Sequence, residues 1–249
     1  MTTIIQARLN SSRLPNKVLQ KIGDKTIIEH VIDRCKQLTD KVIVAVSDID
    51  DCSIMYELEE RDKYKEIEYF HSTKIHPNNL LKRYIMCGIA YDCDYILRVC
   101  GDTPFFDISA AKMLIRNTDK YIGIDSNGYT METNYYDYVA HYLEGEEYPT
   151  IWKHSTGQYL EVVRLSALFD VYNRIARKEI KEKEIQYVYG LMDTIDCYKQ
   201  HPTSGIYLEP ERYKIKKIML KELPSHQLAI NTPDDLARVR KLFDSGLVS

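Results

Sequence analysis

Arg8, Ser11, Ser12, Arg13 and Lys17 crowd into one short stretch near the start of the chain, directly after the apolar pair Ile4-Ile5. Residues of these types at this spacing suit an anion. Arginine presents a planar fork of donors, lysine a point charge, and hydroxyl and backbone N–H groups fill the gaps. A triphosphate is the ligand such a set fits. The stretch is not a Walker loop, because it has no glycine pair and no Gly-Lys-Ser/Thr; with no further partners it would be an ordinary solvated basic connection. A second chemical position is Asp102, in Gly101-Asp102-Thr103-Pro104. Its carboxylate is either a hard ligand for a divalent cation or a turn residue before proline.

Other chemistries lack their residues. The six cysteines contain no CxxC pair and the seven histidines no HxH or HExxH spacing, so neither a zinc site nor a disulfide framework is expected. A reducing cytoplasm is the simplest setting. No run approaches a membrane span, and no basic segment leads into a long apolar one. The formal net charge of −3 gives no global reason to bind nucleic acid or an anionic membrane, so a phosphate site has to be a local concentration of charge.

The elements that must hold these residues alternate through the first half of the chain. Residues 3–6, Lys41–Val46, Ile67–Phe70, Tyr95–Val99 and Tyr121–Ile124 read as strands. Between them lie a helix opened by the capping box Thr26–Glu29, an acidic helix near 51–61, a helix opened by Pro77-Asn78-Asn79, and one over Ile108–Arg116. This rhythm predicts an α/β fold with right-handed crossovers, a mainly parallel central sheet and helices on both faces. Ligands of such sheets bind at the carboxyl ends of the strands. The basic loop, Ser47-Asp48 and Gly101-Asp102 all fall there. Residues 126–155 are rich in tyrosine without clear periodicity. A strand over Gln158–Val163, helices near 166–177 and 180–191, a strand in YKIKKIML and a last short strand at Gln227–Ile230 follow. The final helix has Thr232 as N-cap, Pro233 in its first position and Asp234 and Asp235 in its first turn. The chain, 1–249, reads as a single domain with no linker rich in Gly, Pro or Ser.

Four blocks, IIQARLNSSRLPNKVL, VAVSD, LRVCGDTPFFD and LAINTPDDLARVRKLF, together resemble the cytidylyltransferases of the spore coat polysaccharide SpsF type, which are relatives of the enzymes that make CMP-Kdo and CMP-sialic acid. The likeness runs from about residue 3 to 244. It implies the Rossmann-like nucleotide-diphospho-sugar transferase fold, use of CTP, release of pyrophosphate and dependence on Mg²⁺. By position it implies that Arg8, Ser12, Arg13 and Lys17 bind the triphosphate, that Gln6 and Ala7 begin the nucleotide pocket, that Arg98 and Gly101 belong to it, and that Asp102 holds the metal. Asn231 stands where this family usually has a second metal-binding aspartate. Three readings of that departure stay open: the metal is held by one carboxylate and the triphosphate, Asp234 or Asp235 compensates, or catalysis has been lost and nucleotide binding kept. An asparagine carbonyl can still coordinate magnesium but brings no charge.

Asn10 and Asn16 stand where the family often has glycine, and asparagine tolerates positive φ best among the other residues. Asn10 serves either that purpose or as a donor to phosphate or base. Ala7, Ser12 and Ser47 are candidates for reading the base. The resemblance places Glu161 and His201 on the acceptor side. The tyrosine-rich segment 126–155 reads as a dimer arm or an acceptor pocket, tyrosine being suited to both. The expected partners are therefore CTP, a small-molecule acceptor and a second copy of the chain, and the expected role is activation of a sugar, sugar acid or related metabolite for surface glycan assembly. Use of another nucleoside triphosphate and non-catalytic nucleotide binding are the alternatives.

Overall fold

A computed structural model describes residues 1–9, 11–46, 52–72, 74–76, 79–118, 121–124, 130–133, 136–153, 157–177, 202–207 and 209–249. In chain order the strands are β1 (Thr2–Gln6), β2 (Lys21–Ile22), β3 (Lys25–Thr26), β4 (Val42–Ala45), β5 (Glu68–Phe70), β6 (Tyr95–Cys100), β7 (Tyr121–Ile124), β8 (Thr130–Thr133), β9 (Tyr138–Leu143), β10 (Glu161–Arg164) and β11 (Ile215–Leu220). The helices are α1 (Ile27–Cys35), α2 (Ser53–Glu59), α3 (Leu80–Ala90), α4 (Ile108–Arg116), α5 (Thr150–Lys153), α6 (Leu165–Ala176), α7 (Ser204–Tyr207) and α8 (Pro233–Asp244).

The central sheet has seven strands in the order β11-β9-β10-β6-β1-β4-β5. The pairs β1–β4, β1–β6, β4–β5 and β9–β11 are parallel, and only β10 runs against its two neighbours. The mainly parallel sheet is thus as expected. Alternation along each strand feeds two helical layers. Ile4, Ile43, Ala45 and Ile96 pack with Leu81, Tyr84 and Ile85 of α3 and with Leu168 and Val171 of α6. Ile5, Val44, Leu97 and Val99 face the other way, onto Ile28, Val31 and Ile32 of α1 and Leu114 of α4. Each such aliphatic side chain contributes about 1.5–3 kcal/mol on burial. Because both faces are covered, consecutive residues are apolar in Ile4-Ile5, Val42–Ala45 and Ile96-Leu97. A smaller cluster joins Leu14, Ile22, Ile27, Phe105, Ile230, Leu236 and Val239, and it fastens α8 to the basic loop.

The caps form where the residue types demand them. Glu29 Oε2 accepts from Thr26 N at 2.7 Å, and Thr26 Oγ1 caps Glu29 N in return. Thr232 and Asp235 make the same reciprocal pair at the start of α8.

The structure departs from expectation in three places. Gln227–Ile230 is not a strand: Ile230 N donates to Asp102 O at 3.1 Å, a single crossing bond in place of a ladder. The segment 126–155 holds β8 and β9, and β9 is a fully internal strand of the sheet. Lys21–Thr26 forms a hairpin through Gly23, whose φ of +62° suits glycine. The helix expected near 180–191 lies outside the described residues. Among the described residues no helix is long and apolar enough to cross a membrane.

β9 carries a testable liability. His141 is 2% exposed, and its Nδ1 has no hydrogen-bond partner among the described residues. Burial pushes its pKa from 6.5 down to about 4, against a small opposing pull from Asp107. A histidine held neutral in the fold but free to charge when unfolded stabilises fully above about pH 6.5 and progressively less as pH falls toward 4. The loss amounts to about 3 kcal/mol. Urea unfolding at pH 7.5 and 4.5 should show this drop in the native chain and a smaller one in His141→Leu; equal drops would refute it.

Candidate active site

The sheet sets the place. Counting outward from β1, the chain first builds β4 and β5 on one side and then β6 on the other. Loops leaving β1 and β6 therefore part in opposite directions, and a crevice opens at their carboxyl ends. Gly101, just past β6, donates its N–H to Gln6 O at 2.9 Å. A Cβ at position 101 would lie 3.0 Å from that same oxygen, so any side chain there would have to push the strand end back by a few tenths of an ångström. The bond from Ile230 N to Asp102 O then ties the segment before α8 to the rim.

The basic loop closes back on itself. Ser11 N and Asn16 N both donate to Leu9 O, at 2.8 and 3.1 Å. Asn16 has φ 51° and ψ 33°, the left-handed region. This is the conformation that asparagine tolerates best after glycine. It starts a 3-10 turn, Lys17–Leu19, which turns Lys17 inward to 9% exposure.

The result is a cleft of about 170 Å³. Gln6, Arg8, Ser11, Ser12, Arg13 and Lys17 line one wall, and Gly101, Asp102 and Asn231 the other. Lys17 Nζ lies 2.5 Å from Asp102 Oδ2 and 3.4 Å from Asn231 Oδ1, and Arg13 Nη2 reaches the same Asn231 oxygen at 3.4 Å. Val18 and Leu80 complete the lining, and sequence reasoning missed both. Leu80 follows Asn79, the N-cap of α3; a helix that opens after a parallel strand brings its first residues to this edge, which is the signal that would have found it.

Other expected residues lie elsewhere. Ala7 is buried, and its N–H donates to Ala45 O at 3.1 Å, so it continues the ladder rather than lining the cleft. Arg98 and Glu161 face each other across the β6–β10 register and form an ion pair at 4% and 0% side-chain exposure. Glu161 Oε2 also accepts from Tyr138 and from Thr203 Oγ1, the latter at 2.9 Å. Burial alone would depress the Arg98 guanidinium, but the Glu161 carboxylate more than offsets it and raises the pKa. Both expectations therefore need correcting. Arg98 does not reach the nucleotide cleft, and Glu161 presents no oxygen to an acceptor, because a buried carboxylate takes the buried cation and hydroxyls around it. Asn10, Ser47 and His201 lie outside the described residues.

Asp102 and Asn231 direct two oxygens at one cation, the Lys17 ammonium. Among the described residues no group of three or more His, Cys, Asp or Glu could cage a metal ion. Magnesium commonly takes one or two carboxylates and completes its shell with phosphates and water, so this donor set fits an ion that arrives with a triphosphate. Asp235 does not supply the missing carboxylate. Its Oδ2 accepts from Asn231 N and Thr232 N, both at 2.9 Å, and Arg238 lies 2.7 Å from its Oδ1. Burial would raise this carboxyl, but Arg238 and the backbone donors outweigh it and hold the pKa low.

The cytidylyltransferase family profile matches residues 2–139, more than half of the chain. The spore coat polysaccharide biosynthesis protein SpsF of Bacillus subtilis is 25% identical over 96% of this chain and 85% of its own length. In fold the chain is similar to a cytidylyltransferase from Leptospira borgpetersenii, with TM-score 0.71 at 18% identity over 98% of this chain and 86% of the other. It is also similar to a CMP:2-keto-3-deoxy-manno-octonic acid synthetase solved with CTP, with TM-score 0.59 at 17% identity over 98% of both chains.

Proposed function

The chain belongs to the cytidylyltransferase family, and from that membership we propose that it couples CTP to a sugar, sugar acid or related phosphorylated metabolite for surface-polysaccharide assembly. In this reaction an acceptor oxygen attacks the α-phosphorus of CTP. A P–O bond forms, the bond from the α-phosphorus to the bridging oxygen breaks, and pyrophosphate leaves with the electron pair. The observation that carries the reading is the meeting of Arg13, Lys17, Asp102 and Asn231 in one cleft at the strand ends. The polysaccharide role named for SpsF and the sugar-acid substrate named for the structural neighbour support the acceptor class.

The chain's own residues do mainly positioning and charge neutralisation, which is what phosphoryl chemistry needs. Arg8, Arg13 and the hydroxyls of Ser11 and Ser12 hold the β- and γ-phosphates. Lys17 moves from Asp102 onto the triphosphate and offsets the charge that develops on the leaving pyrophosphate. Asp102, with the carbonyl of Asn231, would hold Mg²⁺, which when bound neutralises phosphate oxygens.

The test is pyrophosphate release with each of the four nucleoside triphosphates, over a panel of sugar acids and sugar phosphates, with and without Mg²⁺. Turnover with CTP and dependence on the metal are expected; equal turnover with ATP or GTP would overturn the nucleotide assignment. Arg13→Ala should raise KM for CTP about tenfold or more, the value of a charge-assisted hydrogen bond, and leave KM for the acceptor unchanged. Equal changes in both would remove the loop from the triphosphate. Asn231→Asp adds a second carboxylate and should lower the half-saturating Mg²⁺ concentration several-fold; an unaltered requirement would deny position 231 a metal role.

A further inference from the structure

A larger cavity, of about 500 Å³, opens on the outer side of α1. It lies beyond the Thr103–Phe106 turn and shares no lining residue with the cleft described above. Four cationic side chains, Lys25, Arg34, Lys36 and Lys63, line it against a single anionic side chain, Asp33. Ser249 also borders it. In a chain of net charge −3 these cations form a pronounced local concentration of positive charge. His30 lines the cavity as well. Its Nε2 is 2.9 Å from Ile22 O, and burial lowers its pKa, so it adds no charge at neutral pH.

Asp33 is already saturated. Its Oδ2 takes both Lys25 Nζ at 2.9 Å and Lys63 Nζ at 2.7 Å, and its Oδ1 accepts from Tyr64 OH at 3.1 Å. Two ammoniums on one oxygen leave a surplus cation. Arg34 has no carboxylate in ion-pair contact among the described residues: Nε donates to Pro104 O at 3.1 Å, and the guanidinium lies 5.8 Å from the ring centres of Phe105 and Phe106. Its remaining donors are those of a half-buried, partly desolvated guanidinium. Such a group binds an anion more strongly than a fully hydrated one, because less water has to be displaced.

We propose that this cavity binds a small phosphate-bearing anion, with Arg34 as the planar anchor and the Lys25–Lys63 pair as its second contact. The site is separate from the triphosphate loop and does not depend on which nucleotide that loop binds. It also has a mechanical link to the loop's opposite wall. Arg34 grips the carbonyl of Pro104, two positions beyond Asp102, so an anion that fixes Arg34 also fixes the turn carrying the metal carboxylate.

The experiment titrates the full chain with inorganic phosphate and with pyrophosphate by calorimetry, in an Arg13→Ala background that weakens the first site. Binding of at least one of the two should persist there. It should then weaken about tenfold on Arg34→Gln, the share of one charge-assisted contact, and by a smaller factor on Lys63→Gln. Hydrogen exchange at residues 102–106 should slow on binding in Arg13→Ala and not in Arg13→Ala/Arg34→Gln. Complete loss of binding on Arg13→Ala alone would overturn the proposal. So would equal binding in the Arg13→Ala chain with and without Lys63→Gln; this exposed lysine decides the matter if the Arg34 variant fails to fold.

Discussion

Alanine at position 102 will lower pyrophosphate release by about 10³-fold, while metal-free binding of CTP will hold or tighten. Both halves follow from one arrangement. Asp102 is the carboxylate that lines the cleft, and its Oδ2 holds Lys17 at 2.5 Å. Losing one group aimed at developing charge costs about 10²–10³ in turnover, and Asn231 has no charge with which to replace it. The same substitution releases Lys17, which then meets the triphosphate without first leaving an ion pair. Single-turnover kinetics with saturating CTP and Mg²⁺, set beside calorimetry without metal, separate the two effects. Retained turnover would refute the role of Asp102, and weakened metal-free binding would refute the exchange of Lys17 between carboxylate and phosphate.

Glu161→Ala will destabilise the fold by about 3–5 kcal/mol, the usual cost of leaving a buried charge without its partner. That is a large share of the roughly 5–15 kcal/mol that holds a domain folded. The carboxylate is wholly buried between Arg98, Tyr138 and Thr203, and its removal leaves a buried guanidinium alone. Replacing both members, as in Arg98→Met/Glu161→Leu, should recover most of the loss, since an apolar pair of similar size often serves as well as the ions. Urea midpoints of the single and double variants decide this. An acceptor role for Glu161, the expectation from sequence, makes the opposite forecast: a raised KM for the acceptor at unchanged stability.

That reversal shows which parts of the molecule can be read from residue order. The parallel half is legible, because β4 (Val42–Ala45) is an unbroken apolar run and β1 and β6 carry the aliphatic pairs Ile4-Ile5 and Ile96-Leu97, as strands covered on both faces do. The cleft is legible for a related reason: strand ends in this topology converge, and Gln6, Gly101 and Asp102 all lie at strand ends. β9 is not. Both of its faces are buried, Tyr138, Ala140 and Tyr142 on one and Val139 and His141 on the other. Tyrosine and histidine disguise the two-residue period, since either is as much at home on a surface. Glu161 is misplaced by sequence because a lone carboxylate in a strand looks solvent-facing until the register puts Arg98 opposite it. Asp235 fits either role by position, and the backbone donors of Asn231 and Thr232 decide for the cap.

The contact between Arg13 and Asn231 joins residues 218 positions apart, and it bears on the order in which the protein comes into being. Closing so long a stretch of chain carries an entropic cost that local contacts do not, and distant pairings tend to form late. The basic loop is synthesised well before Asn231, which completes the wall opposite it. A growing chain thus carries an unfinished cleft until the strand layers are in place and α8 has docked on Leu14, Ile22 and Phe105. Nucleotide affinity is then a late marker of folding, one that should rise after the sheet has formed and that reports on the finished molecule rather than on its parts.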